Sequence, residues 1–243
     1  MKKLFPLLCT ALLCVATLTS NAETPKNNTS NIVHDEERIV KNFNGIASGG
    51  PIEVIVKLGN TESIRFEGDA DAISTLVTEV KSNILIIRPK NSWRSWSSKY
   101  EGKTIIAYVT AKNISSLTMS GSGSITVSTL ISSSEMTTTL SGSGSIKVNV
   151  DVQELNSVLS GSGSLKISGK ANEANVSLSG SGMFSGKLLS VDNLSTKISG
   201  SGSVNIKADK TINAVIVGSG NVNYTGNAAV EQRVVGSGSI RKV

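Results

Sequence analysis

The sequence predicts an all-β fold, and within it a β-solenoid of about seven stacked coils. Two observations carry this. The first is a phrase written seven times, Ser/Val-Gly-Ser-Gly followed two places on by an apolar side chain. Its first glycines are Gly121, Gly142, Gly161, Gly180, Gly200, Gly218 and Gly236, at steps of 21, 19, 19, 20, 18 and 18 residues. A period near 19 marks an array in which each repeat buries its apolar side against its neighbours. The second is alternation around each copy. Just before it stand Met119, Leu140, Leu159, Leu178, Ile198, Ile216 and Val234. Two residues after its second glycine stand Ile125, Ile146, Leu165, Phe184, Val204, Val222 and Ile240. Apolar residues two apart describe a strand with one buried face.

The glycines then belong at corners. The second glycines are Gly123, Gly144, Gly163, Gly182, Gly202, Gly220 and Gly238, so the motifs hold 14 of the 23 glycines. Inside strands each would cost about 0.5–1 kcal/mol relative to Ala. Together that rivals the net stability of a domain, about 5–15 kcal/mol. The cost vanishes where glycine supplies a turn or a close backbone approach. Each repeat therefore reads as strand, tight Gly-Ser corner, strand and looser return. A right-handed parallel β-helix is the expected form. An antiparallel β-sandwich with the motif at hairpin turns stays open. A flexible Gly/Ser linker does not fit, since linkers keep no aliphatic residues at fixed offsets.

In chain order, Met1-Lys2-Lys3, the apolar stretch Leu4 to Leu18 and Ser20-Asn21-Ala22 read as a signal peptide, 1–22, cleaved near Ala22. The mature chain then has no cysteine, because Cys9 and Cys14 leave with the signal. It carries 22 basic and 18 acidic side chains and no transmembrane segment. Residues 23–37 read as a disordered polar lead. Residues 38–118 read as an N-terminal β region of irregular opening coils that covers the first sheet edge. Strand-like runs there include Ile52 to Val56, Ile64 to Phe66, Ile84 to Ile87 and Ile105 to Val109. Asp69 is a candidate cap for a short helix or turn reaching Thr75, and Ala47-Ser48-Gly49-Gly50-Pro51-Ile52 reads as a worn repeat corner. Residues 119–243 are the repeat β-helix, continuous with 38–118 as one domain. The last coil, ending at Arg241-Lys242-Val243, is either blunted by its cations or a site for homo-oligomer formation.

Beyond the repeat, the opening segment carries a resemblance. It rests on Phe43-Asn44-Gly45-Ile46, Ile52-Glu53-Val54, Ile64 to Asp69, Asn83 to Ile87, Ile114 to Leu117 running into Ser120-Gly121-Ser122-Gly123, and Asn221 to Gly226. Over residues 38–243 the chain resembles the "putative auto-transporter adhesin, head GIN domain" family of secreted bacterial proteins common in Bacteroidetes. The resemblance implies a β-helix with Gly-Ser-Gly motifs at tight turns between sheets, a Gram-negative cell and no catalytic residues to carry over.

Little in the chain points to catalysis. His34 is the only histidine and stands in the polar lead, poorly placed for a Ser-His-Asp triad. With no mature cysteine, a zinc site lacks ligands. The Gly-Ser runs lack the third glycine of a dinucleotide fingerprint, the Lys of a P-loop and the Asp of calcium-binding repeats. No catalytic, metal or cofactor residue is assigned. The array carboxylates Glu135, Asp151, Glu154, Glu173, Asp192, Asp209 and Glu231 offer no evident pair across one bond. Basic residues are spread thinly and aromatics are rare, which argues against nucleic acid as a partner.

One cluster departs from this texture. Trp93, Arg94, Trp96 and Tyr100 form a loop-like insertion between strands. Amphipathic aromatics beside a cation can stack on a sugar or grip a partner. The readier reading is a loop folded back over the first coil. The expected protein is non-enzymatic and exported, cell-surface adhesin-like or ligand-binding, with a glycan or a surface protein as partner. A periplasmic structural or binding module is the alternative, and a polysaccharide-active β-helix enzyme a more distant one.

Overall fold

The structure, a computed structural model, describes residues 34–90, 98, 99 and 101–243. The expected signal peptide, most of the polar lead, and Trp93, Arg94, Trp96 and Tyr100 lie outside the described residues. The described residues, from His34 onward, fall in one compact unit. Its elements are β1 (His34–Arg38), β2 (Gly45–Gly49), β3 (Glu53–Leu58), β4 (Ser63–Gly68), α1 (Ala70–Ser74), β5 (Leu76–Lys81), β6 (Ile84–Pro89), β7 (Ile105–Ala111) and β8 (Ser116–Gly121). Then come the coil-long β9 (Ser124–Gly142), β10 (Ser145–Gly161), β11 (Ser164–Gly180), β12 (Met183–Gly200) and β13 (Ser203–Gly218). The last are β14 (Asn221–Thr225), β15 (Ala229–Val235) and β16 (Ser239–Lys242).

These elements form a β-solenoid of about seven turns. From β8 onward every pairing is parallel, which excludes the antiparallel sandwich. The register is set by the repeat, since Ser141, Ser160, Ser179 and Ser199 lie side by side on successive coils. A one-residue slip would turn every core side chain to solvent.

The two glycines of each motif do different work. The first glycines have φ between 113° and 120°, a region that penalises any side chain. The second glycines sit where a Cβ has no room: at Gly144 it would lie 2.4 Å from the Gly123 carbonyl oxygen. Backbone bonds carry the stacking through the corner, with Ser143 and Gly144 N–H both donating to Gly121 O at 3.0 and 2.9 Å. The return is tighter than expected in two coils, where Gly169 and Gly226 make second positive-φ corners at 106° and 97° against the Val150 and Ala208 carbonyls.

The core is a set of columns running along the solenoid axis. Ile125, Ile146, Leu165, Phe184, Val204 and Val222 are fully buried in one, and Met119, Leu140, Leu159, Leu178, Ile198 and Ile216 almost fully in another. Burying such a side chain contributes about 1.5–3 kcal/mol, so the columns hold the coils together.

At the N-terminal end β2 stacks parallel on β8, with Gly50 N–H donating to Ser120 O at 2.8 Å. The Gly49-Gly50-Pro51 segment is therefore a corner above the first motif. Two hairpin-like excursions depart from the parallel pattern, β4 antiparallel to β7 and β5 antiparallel to β6. Asp69 caps α1, its Oδ1 accepting from Ala72 N–H at 3.0 Å. The polar lead expected over 23–37 needs correction at its end. Residues 34–38 form β1, antiparallel on β4, with Arg65 bound to Asp35 at 2.9 Å. The Arg38 guanidinium donates to Ile73 O and Leu76 O at 2.9 and 2.8 Å and lies over the Phe66 ring. Tertiary partners thus order a strand with no apolar face of its own.

Candidate ligand-binding surface

Outward side chains form rows perpendicular to the strands. One row runs from Glu67 on β4 through Ile106 and Glu53 to Ser124, Ser145 and Ser164, then Met183. Where Lys103 and Thr104 lead into β7, this row borders a groove of about 310 Å³. Its polar side chains are Glu53, Lys103, Thr104, Ser122, Ser124, Ser143 and Ser145. Lys103 is positioned by Asp69, Nζ to Oδ2 at 3.0 Å. That contact first, and then the Ala72 N–H, holds the Asp69 carboxyl below its ordinary range. Nearby on the same sheet Arg65 stacks over Tyr108 at 4.4 Å. Desolvation, and then the Glu67 carboxylate, pushes the Tyr108 phenol up.

A second concavity, of about 360 Å³, lies on another side of the solenoid. It is a shallow apolar dimple between Val158, Val215, Val217 and the stem of Lys197, floored by Ser177 and Ser179. Beside it runs a ladder of carboxylates that the sequence reading passed over. Glu135, Glu154 and Glu173 stand in register on β9, β10 and β11. Asn156 donates to Glu135 and Glu154 at 3.1 Å each, and Asn175 to Glu154 at 3.2 Å. The signal was available: each glutamate stands seven residues before the next motif's first glycine. Asp192 is taken up by Lys210 at 2.9 Å, and Asp151 lies beside Lys170. No group of three or more metal-ligating side chains is found among the described residues.

Of the residues picked out in the sequence, the structure brings the fourteen motif glycines together at the corners. It does not describe the aromatic cluster. Glu53 and Lys103, which border the groove, escaped the sequence reading.

Comparison with known proteins adds the following. The family described as "Putative auto-transporter adhesin, head GIN domain" matches residues 42–228. Four-fifths or more of the chain superposes on solved structures. A "putative adhesin" from Bacteroides fragilis is 19% identical with a TM-score of 0.76, covering 88% of this chain and 98% of its own. A "putative lipid binding protein" from Parabacteroides distasonis is 22% identical with a TM-score of 0.70 and the same coverage. A "putative adhesin" from Parabacteroides merdae is 22% identical with a TM-score of 0.68, covering 87% of this chain and 96% of its own. At these identities the likeness is one of fold. A search of curated proteins finds no match.

Proposed function

The chain belongs to the family described as "Putative auto-transporter adhesin, head GIN domain", and from that membership we propose a non-enzymatic, adhesin-like protein that is exported and binds ligands from a rigid solenoid. The observation that supports it best is the in-register presentation of outward side chains. Corner hydrogen bonds and core columns fix each coil against the next. Polar groups on the outside are thus held in place before any partner arrives, which lowers the ordering cost of binding. Three carboxylates of the array, Glu135, Glu154 and Glu173, run as a ladder along one side, the first two tied by asparagine amides. That differs from two carboxyl groups facing each other across a bond. No helix among the described residues is long and apolar enough to cross a membrane.

Two measurements test the reading. Protease shaving of intact producing cells, with a periplasmic control, removes the protein if it is displayed outside. Survival until the envelope is broken favours the periplasmic binding module instead. Beads coated with the purified protein attach to cells if the surface is adhesive; beads that attach to no cell type tested would overturn adhesion.

A further inference from the structure

We propose that the groove beside the first Gly-Ser-Gly corner is a binding site for a neutral saccharide. The inference rests on the adhesin-like reading and names the ligand class.

The volume comes first. About 310 Å³ is at the low end of small-molecule sites, roughly 300–1,000 Å³. It suits one or two sugar rings and excludes a long buried chain.

The chemistry comes next. The hydroxyls of Ser122, Ser124, Ser143 and Ser145 each offer a donor and an acceptor. None makes a side-chain hydrogen bond within the protein among the described residues. Glu53 is exposed and forms no ion pair among the described residues. Lys103 keeps two further N–H donors beyond its contact with Asp69. A carboxylate and an ammonium together disfavour both a free anion and a free cation. What satisfies the whole set is a neutral molecule whose own groups both donate and accept, and a polyol has that property.

Rigidity supports the same conclusion. Glu53, Ser124 and Ser145 occupy one register on three adjacent strands. Their backbones are pinned by Ser124 N–H to Ile52 O at 3.1 Å and Ser145 N–H to Gly123 O at 3.0 Å. Later corners repeat the serines but not the charged pair, and the row reaches Met183 after Ser164. The site is therefore built once, at the N-terminal head of the corner ridge.

The test is retention of the purified full chain on an array of neutral, sulfated and sialylated oligosaccharides, followed by titration calorimetry with the best-retained neutral sugar. The expected result is retention by neutral sugars, with at least a tenfold loss of affinity in Glu53→Gln and in the double variant Ser124→Ala/Ser145→Ala. Lys166→Met, on the same sheet but outside the groove, should bind as the native chain does. Thermal unfolding of each variant checks that the fold is kept; Glu53 is exposed, and Glu53→Gln leaves the core columns untouched. Retention by acidic sugars only, retention untouched by the groove variants, or no retention at all would each overturn the proposal. If the array fails while coated beads still attach to cells, the groove assignment falls and the adhesin-like reading stands. If both fail, both fall.

Discussion

Thr138 Oγ1 and Ser157 Oγ lie 2.9 Å apart inside the solenoid, one coil above the other, and both residues are buried. They share a core column with Ile46, Leu117, Val176, Thr196 and Ala214. A buried hydroxyl without a partner costs about 1–3 kcal/mol, whereas replacing both members of a pair by apolar groups is nearly neutral. Thr138→Val and Ser157→Ala should therefore each destabilise by about 1–3 kcal/mol. The double variant should lie within about 1 kcal/mol of the native chain. Urea unfolding midpoints of the four proteins read the coupling; additive losses would show that the two hydroxyls do not depend on each other.

Ser48 gives the opposite case. Its Oγ is buried and has no hydrogen-bond partner among the described residues. In register it stands on Met119, in a column continued by Leu140. Ser48→Val removes an unsatisfied hydroxyl and adds apolar contact, so it should stabilise the chain by about 1 kcal/mol. A lower thermal midpoint in this variant would mean that the column has no room there.

The corners fail in a way specific to stacked arrays. A Cβ at Gly161 would meet Gly142 O at 2.5 Å on a backbone with φ of 114°. Strain of about 1–3 kcal/mol adds to the displacement of the neighbouring coil, so Gly161→Ala should cost about 2–4 kcal/mol. Gly102 has φ of 74° but nothing within 4 Å of an added Cβ, and Gly102→Ala should cost about 1–2 kcal/mol. In a nearest-neighbour array the mid-array defect also uncouples the two flanks. A lowered urea m-value for Gly161→Ala, and an unchanged one for Gly102→Ala, would register this. Equal losses in both variants would refute the stacking account.

Much of this was legible in the sequence because the repeat states its own physics. Fixed offsets of aliphatic residues around Gly142 or Gly161 mark core columns, and Asp69 stands where a helix cap belongs. The β1 strand was not legible. His34 to Arg38 has no apolar alternation, and its order comes from Arg65, Ile73 and Leu76, far along the chain. The groove was hidden for a related reason. Glu53 stands 71 residues before Ser124, and the two meet only because the β4–β7 excursion loops out between parallel strands.

The Asp69 carboxyl links the helix cap to the groove and sets a pH dependence. Its folded pKa lies below the ordinary carboxylate value, through Lys103 first and the Ala72 N–H next. A depressed folded pKa gives stability that is present above the unfolded value, near pH 4, and lost as pH falls through the folded value. Thermal midpoints should therefore decline on acidification below about pH 4. Asp69→Asn should flatten that limb by lowering the neutral midpoint toward the acidic one, and only slightly, because Lys103 is exposed and Asp69 only half-buried. An unaltered acid limb would show that Asp69 contributes nothing to it.

The last coil departs from the columns it continues. Val230 and Val234 extend the columns of Ile212 and Ile216, and Ile240 that of Val222. No further strand pairs on β15 or β16 among the described residues, and Val234 and Val235 are 36% and 55% exposed. Such an end invites another copy to stack on it, by a heterologous contact that does not close. Two side chains oppose this. Gln232 occupies the column of Ala214, and Lys242 that of Tyr224, reaching Asn227 at 3.4 Å. Inward-pointing polar groups of this kind blunt sheet edges. The native chain should sediment as a monomer at micromolar concentration. Gln232→Val/Lys242→Val should form larger, concentration-dependent species. A double variant that stays monomeric would mean that the blunting lies elsewhere, in the cation of Arg241 or the twist of the coil. A native chain that already associates would make this end an interface for a second copy.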